Sequence, residues 1–381
     1  MIRLLDYGAG NVRSVKNAVR KLGYEIDVIR NPEEILTAEK LIFPGVGNFG
    51  VVMQRLKSAG YADPLITRIE ENKPLLGICV ALQTFFEGSE EAPGIPGLGV
   101  MPGIVRKFDD TLQAVPQIGW NNITIKKPSV LLSDYEDQKL YFVHSYYGEI
   151  SDLNNSWVLA TSDYGEKFIS AVQRGNIAAF QFHPEKSGAA GLSMLKSFLD
   201  NNNYEKENST AQVKADSTTN IAKRVIACLD VRSNDAGDLV VTKGDQYDVR
   251  EQGEVRNMGM PVELAKRYYE EGADEITFLN ITGFRDFPMK DQPMLDVLKK
   301  TSQSVFVPLT IGGGIQEFTD AEGKYYSALD VASSYFRSGA DKVSIGSDAV
   351  YEAEKYIQSG QKSGHSSIEQ ISEVYGAQAV V

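Results

Sequence analysis

What this sequence has little of narrows its function before any motif is read. It carries two cysteines and three histidines among 381 residues. Two cysteines cannot build a disulfide framework, so a reducing, cytoplasmic setting is expected. The same residues form no ligand cluster of the kind zinc needs, so neither a metal nor another cofactor is expected. No run of about 18 apolar residues occurs, which excludes a helical membrane span. The N-terminal MIRLLDYGAG has no basic-then-apolar leader, and Asp6 interrupts its short apolar run, so no targeting segment is expected. Positive charge is also short. Lys and Arg number 39 against 51 Asp and Glu, a net charge of −12. Phosphate backbones need a basic footprint, so no nucleic-acid partner is expected. Small anionic substrates remain compatible where cations gather locally.

What is present is ordinary globular composition, 42% hydrophobic and 24% charged, at a length that suggests two domains. IRLLDYG (2–8) reads as a buried strand and NVRSVKNAVRKLG (11–23) as the helix after it. EIDVIR, KLIFPG and PLLGIC are further strands. YFVHSYYG (141–148) and FISAVQRGNIAAFQFHPE (168–185) read as antiparallel strands, the latter turned at Arg174-Gly175-Asn176. Residues 1–200 are therefore an α/β domain with a mixed sheet. Residues 201–220 are rich in Asn, Ser, Thr and charge, bury too little to order themselves, and read as a linker. From 221 the strand–helix alternation restarts. RVIACLDV (224–231), EITFLNI (275–281), VFVPLTI (305–311) and KVSIG (342–346) suit a parallel sheet covered on both faces, and AQAVV (377–381) reads as the start of a fifth strand. Four βα units and a bare strand make an incomplete (β/α)8 barrel over 221–381, since a closed barrel takes eight strands and about 250 residues.

One cysteine stands where chemistry happens. A lone cysteine in an apolar run is ordinarily core packing. Cys79, however, follows the strand PLLGI and precedes the helical run VALQTFFEGS, with Gly77 two residues before it. That is a nucleophile elbow, with a reactive atom on a tight strand-to-helix turn. A thiol at a helix N-terminus also meets unpaired N–H groups that favour the thiolate. The position two after the nucleophile, glycine in the usual elbow, is Ala81. A nucleophile needs a base. His365 lies in a polar loop, and His144, in YFVHSYYG, fits a satisfied strand histidine as well as a role near the site. His183, in FQFHPEKSG, has Glu185 two residues on, a spacing that on a strand puts both on one face. Pro184 would fix the local backbone. GVGNFG (45–50) matches G-x-G-x-x-G, but it is not in the first βα unit, and Glu70 and Glu71, about 20 residues on, lie on a helical stretch. A dinucleotide site is therefore set aside.

GICVALQ, HPE and PGVG (44–47) together resemble the class I glutamine amidotransferases. The resemblance implies that Cys79 attacks the side-chain amide of glutamine, that His183 protonates departing ammonia, and that Glu185 orients the imidazole. Backbone N–H groups of Gly45, Val46, Gly47 and Val80 would hold the oxyanion, and Gln83 would contact glutamine. The second half also has a resemblance. RVIACLDV, GDLVVTKGDQYDVR, GADEITFLNIT, VPLTIGGGI and GADKVSIGSDAV are similar to the cyclase of the imidazole glycerol phosphate synthase family, and nearly the whole chain resembles the fused form found in fungi and plants. The implied activity belongs to histidine biosynthesis. Ammonia from glutamine converts phosphoribulosyl-formimino aminoimidazole carboxamide ribonucleotide (PRFAR) into imidazole glycerol phosphate and aminoimidazole carboxamide ribonucleotide. Asp230 would be the general acid or base. Lys243 would bind phosphate or an intermediate, and Gly312, Gly313, Gly314 and Ser347 would bind phosphate; Gly346 stands where stand-alone bacterial cyclases have Asn. Arg224, Glu275 and Lys342 match a charged ring at the ammonia entrance, and Lys186 and Asp341 an ion pair across the domain interface. Cys228, inside a strand, reads as core.

The family places a second catalytic aspartate at the end of the fifth strand and a second phosphate site on strands seven and eight, so the cyclase is expected to be truncated within its barrel. Glutaminase activity is expected, and cyclase activity of this chain alone is not. The chain is expected to be a monomer, unless a separate chain completes the barrel. Two alternatives from other classes are a non-catalytic remnant that only holds a phosphorylated ligand or partner, and an amidotransferase with a different acceptor.

Overall fold

A computed structural model describes residues 1–8, 11–205, 218–234, 238–242, 250–251, 254–255, 258–281, 293–320 and 322–381. Their contacts divide into two units, Met1–Lys223 and Arg224–Val381.

The first unit is built on an eight-stranded mixed sheet. Five parallel strands come first, in the order Ile26–Val28, Ile2–Leu4, Lys40–Phe43, Leu75–Ile78 and Ile177–Phe180. Glu166–Arg174, Val158–Tyr164 and Thr124–Ile125 then continue it antiparallel. The hairpin read around Gly175-Asn176 joins Glu166–Arg174 to Ile177–Phe180, with Arg174 opposite Ile177. The helix of 11–23 spans Val12–Lys21, and the Asn11 side chain accepts the Ser14 N–H to cap it. YFVHSYYG splits. Leu140–His144 pairs antiparallel with Gln117–Asn121, and Tyr146–Gly148 with Ile104–Lys107. The central strands Lys40–Phe43 and Leu75–Ile78 are buried at every residue, as strands covered on both faces should be. The two ends of the 201–220 segment pack on this unit. Tyr204 is buried and stacks on Phe198 at 5.3 Å, and the Thr219 hydroxyl accepts the Asp163 N–H at 2.7 Å.

Two buried cations fix the strands that carry the site. Lys40 Nζ donates to the carbonyls of Phe198, Leu199 and Asn201, closing the C-terminus of helix Gly188–Asp200. Arg68, fully buried, donates to the carbonyls of Ile35 (2.7 Å), Ala38 (2.8 Å), Glu39 (3.3 Å) and Pro74 (2.6 Å). It thereby ties the entry of strand Lys40–Phe43 to the entry of strand Leu75–Ile78. Arg68→Met keeps the volume but orphans these acceptors. It is expected to cost about 3 kcal/mol in urea unfolding, and a loss under about 0.5 kcal/mol, the level of an ordinary surface substitution, would refute the role.

The second unit holds a five-stranded sheet. Ile226–Ser233, Glu275–Asn280, Leu309–Gly312 and Lys342–Ser344 run parallel, and Leu239–Thr242 pairs antiparallel with the first of them. The third strand is shorter than VFVPLTI because Pro308 has no N–H to give a ladder, so pairing starts at Leu309. Helix Pro261–Glu270 follows the first strand and precedes the second, and helix Ala328–Ser338 enters through a Ser327/Asp330 capping box. AQAVV opens as a 3-10 turn, Ala377–Ala379, and only then does Val380 bridge Val343 in parallel.

Two expectations need correction. Asp230, read at the end of the strand RVIACLDV (224–231), does not end it, since the strand runs on to Ser233 to make the hairpin with Leu239–Thr242. Cys228 is exposed rather than core. The apolar run ACLDV hides an alternation in which Leu229 and Val231 are buried while Cys228 points to the opposite face.

Candidate active site

Cys79 sits between strand Leu75–Ile78 and helix Val80–Thr84, with φ 54° and ψ −109°. A non-glycine residue in this region is strained and is held only when its surroundings over-determine it. Close packing does so here. A Cβ on Gly77 would lie 2.9 Å from the Ala179 Cβ and 3.3 Å from the Ala81 Cβ. Glycine at 77 thus leaves the room that the alanine at 81 takes up. A Cβ on Gly45 would lie 2.4 Å from the Ile78 carbonyl and 2.7 Å from the Ala81 amide. The first glycine of GVGNFG is therefore needed to lay this loop against the nucleophile turn.

His183 and Glu185 meet, though not by strand alternation. The strand ends at Phe180, and Pro184–Lys186 is a 3-10 turn that His183 caps. His183 Nδ1 lies 2.9 Å from Glu185 Oε1, with both side chains 5% exposed. The carboxylate accepts the Nδ1 proton, which leaves Nε2 for the thiol. Nε2 is buried and makes no hydrogen bond within the described residues. Burial alone would lower the imidazole pKa. The Glu185 charge, then Cys79, outweigh it and hold the ring well above its usual value. The thiol's other contacts are the Val143 carbonyl at 3.9 Å and the Gln181 side-chain amide at 3.5 Å.

The oxyanion side is built from two loops. Val80 opens its helix, so its N–H has no intrahelical acceptor. The Val46 N–H is donated to the Tyr7 hydroxyl at 3.2 Å, which in turn donates to the Val46 carbonyl at 2.9 Å. Gly47 has φ 140°, a turn that suits glycine. Glu91, missed in the sequence, accepts the Phe49 N–H at 2.7 Å at the start of the next helix. Burial pushes its carboxyl up to about 7, against the opposing hydrogen bonds from Phe49 and Asn48. Gln83 donates to the Tyr146 carbonyl at 2.8 Å and to Gln181 Oε1 at 3.2 Å. His144 is buried and only half satisfied: Nδ1 lies 2.7 Å from the same Tyr146 carbonyl, while Nε2 makes no hydrogen bond among the described residues. His365 is exposed.

In the second unit the register brings three predicted charges together. Lys342 Nζ is 2.5 Å from Glu275 Oε1, and Arg224 Nε is 3.6 Å from Oε2. Thr310 donates to Glu275 at 2.7 Å. Burial lowers the Lys342 pKa against the pull of Glu275. Asp341 accepts the Leu309 N–H at 2.8 Å, and Lys186 is buried beside Glu185 in its turn. Asp230 is half-buried, on the face shared by Cys228. Gly312 ends its strand. Gly313 and Gly314 have φ 86° and 73°, and a Cβ on Gly313 would lie 2.1 Å from the Asn280 carbonyl. Ser347 opens helix Ser347–Ser359. Lys243 lies outside the described residues. Among the described residues, no helix is long and apolar enough to cross a membrane.

Comparison with known proteins gives this arrangement its relatives. The model of glutamine amidotransferase class-I matches residues 3–202, and that of histidine biosynthesis protein matches residues 224–370. The chain is 58% identical to imidazole glycerol phosphate synthase hisHF, chloroplastic, of Arabidopsis thaliana, all of this chain aligning to 64% of the relative. It is 54% identical to imidazole glycerol phosphate synthase hisHF of Schizosaccharomyces pombe, spanning 72% of its length. The first half alone is 44% identical to the HisH subunit of that synthase from Methanothermobacter thermautotrophicus, covering 98% of it. The chain belongs to the imidazole glycerol phosphate synthase family, carrying a class-I glutamine amidotransferase module ahead of a histidine-biosynthesis module.

Proposed function

We propose that the first unit hydrolyses glutamine to glutamate and ammonia. The observation that carries this is a cysteine held on a strained elbow beside a buried His183–Glu185 pair at 2.9 Å. The Cys79 sulfur attacks the glutamine side-chain carbonyl carbon, and its proton passes to His183 Nε2. The oxyanion is met by the Val80 N–H and by the N–H groups of Gly45 and Gly47, the Val46 N–H being turned to the Tyr7 hydroxyl. The C–N bond breaks as His183 returns the proton to the leaving nitrogen, giving ammonia and a thioester. Water, losing a proton to His183, then releases glutamate and the thiol. Glu185 stabilises the imidazolium at both steps. Gln83 lies at the edge of this site and would meet the glutamine. A free thiol in this role suits a reducing compartment such as the cytoplasm.

For the second unit we infer a place in the family's conversion of PRFAR to imidazole glycerol phosphate and aminoimidazole carboxamide ribonucleotide. Asp230 would serve as acid or base, and Lys243, Gly312–Gly314 and Ser347 as substrate and phosphate contacts. Arg224, Glu275 and Lys342 would line the ammonia entrance, and Lys186 with Asp341 would orient the two modules in one monomeric chain. The rest of the barrel would come from sequence of the length the relatives have, or from a separate chain. The assay follows both products. The chain is expected to release glutamate from glutamine. Given PRFAR and ammonium salt, it is expected to yield no imidazole glycerol phosphate, because four parallel strands among the described residues fall short of the eight a closed barrel needs. Absence of glutamate would refute the first reading, and formation of imidazole glycerol phosphate would refute the expectation that this chain alone falls short of a working barrel.

A further inference from the structure

We propose that Gln181 is a positioning residue for the nucleophile, its side-chain amide holding the Cys79 sulfur through an N–H donor. This rests on Cys79 acting as the nucleophile. Gln181 is fully buried, two residues before His183 and one past the end of strand Ile177–Phe180. Its Nε2 lies 3.5 Å from Cys79 Sγ, within range for a donor to sulfur. The direction of that bond is fixed by a chain of acceptors. The Tyr146 carbonyl can only accept, so Gln83 must turn its NH2 toward it, at 2.8 Å. The same NH2 then reaches Gln181 at 3.2 Å, where it requires the carbonyl oxygen. Gln181 has its NH2 left for the sulfur. An amide flip at Gln181 would set a carbonyl against the thiolate and NH2 against NH2, so both ends of the chain exclude it.

His144 strengthens the anchor. Its Nδ1 lies 2.7 Å from the same Tyr146 carbonyl, and its ring is enclosed by Phe108, Phe142 and Phe168 at centroid distances of 5.3–5.9 Å. The thiol thus has two partners, His183 as the base and a fixed amide donor that favours the sulfur when it carries negative charge. A hydrogen bond to a charged partner is roughly twice as strong as a neutral one. The donor therefore stabilises the thiolate more than the thiol.

The test compares Gln181→Glu with Gln181→Met. Glutamate keeps the acceptor for Gln83 and removes the donor to sulfur. Methionine removes both. The first readout is the rate at which iodoacetamide alkylates Cys79 at pH 7 without glutamine, resolved from the exposed Cys228 by mass spectrometry. Gln181→Glu is expected to slow it by about tenfold or more, with Gln181→Met slowed less. In turnover, kcat is expected to fall by a similar factor with KM within about twofold. Fluorescence of Trp120 and Trp157, the two tryptophans of the chain, reports whether the first unit is folded. Wild-type alkylation in folded Gln181→Glu overturns the proposal, since Gln181 would then serve only Gln83; if that variant does not fold, wild-type alkylation in Gln181→Met overturns it equally. The resting thiol is read without substrate. Intact glutamine hydrolysis in Cys79→Ala would instead refute the nucleophile assignment, a different failure.

Discussion

Cys79→Ala is expected to reduce glutamine hydrolysis by roughly 10⁴-fold or more, to assay background, because the acyl intermediate forms on the Cys79 sulfur and an alanine methyl cannot form it. A second substitution at the same position separates chemistry from strain. With φ 54° and ψ −109°, the residue occupies backbone space that costs an L side chain about 1–3 kcal/mol. Alanine keeps that cost, and glycine removes it. Cys79→Gly is therefore expected to be as inactive as Cys79→Ala but more stable by about 1 kcal/mol, measured by urea unfolding followed by tryptophan fluorescence. Elsewhere, exchanging alanine for glycine within secondary structure lowers stability, so the sign of the difference is the diagnostic. Equal stability of the two variants would mean that the elbow carries no strain. Residual hydrolysis above about one per cent of wild type in either would mean that another group is the nucleophile.

The elbow was legible because each part has a local cause. An apolar strand, a glycine where the helix packs, a cysteine and a helical run can be read in order over PLLGICVALQ. His183 and Glu185 were legible as a pair, but the reason differs. Pro184 breaks the strand, and a 3-10 turn brings the carboxylate to Nδ1. The alternation rule, applied backwards from His183, would have reached Gln181, whose polar side chain amid FQFH was the available signal. Tyr7, Glu91, Lys40 and Arg68 left no such signal. Their partners are mostly backbone groups brought together by the fold, more than 25 residues away in sequence except for the Pro74 carbonyl that Arg68 reaches. Cys228 was misread because ACLDV gives no polar marker of which face is covered. The ring of Arg224, Glu275 and Lys342 was legible only through resemblance, since it depends on the register of four strands.

The pH dependence of the first unit's stability is expected to hinge on His144, and the wild-type curve alone will hide it. Burial pushes its imidazole down to about 3, with a small further push from His183 and partial opposition from the Tyr146 carbonyl. In the unfolded chain it titrates near 6.5. Between these values the unfolded state binds the proton and the folded state does not, so stability rises with pH across about 3 to 6.5. At one pKa unit per 1.4 kcal/mol, this amounts to about 3 kcal/mol lost on going from pH 7 to 4.5. Glu91 acts oppositely. Its folded carboxyl, at about 7, takes up a proton that the unfolded chain binds only near 4.5, so acidification over that range stabilises the fold. His183, held above its usual value, is protonated in both states below about 6.5 and adds no slope there; its contribution falls only as pH rises from 6.5 through its folded pKa. The effects of His144 and Glu91 largely cancel in wild type. A variant isolates the first. His144→Asn keeps an N–H donor for the Tyr146 carbonyl and does not titrate. At pH 7 it is expected to be less stable than wild type through lost packing among Phe108, Phe142 and Phe168. At pH 4.5 the gap is expected to narrow by about 3 kcal/mol, because wild type alone carries a histidine that unfolding allows to charge. Urea unfolding of both proteins at the two pH values measures it. A gap unchanged between pH 7 and 4.5 would show that His144 takes up its proton as readily in the folded state as in the unfolded chain, and would refute the effect assigned to its burial.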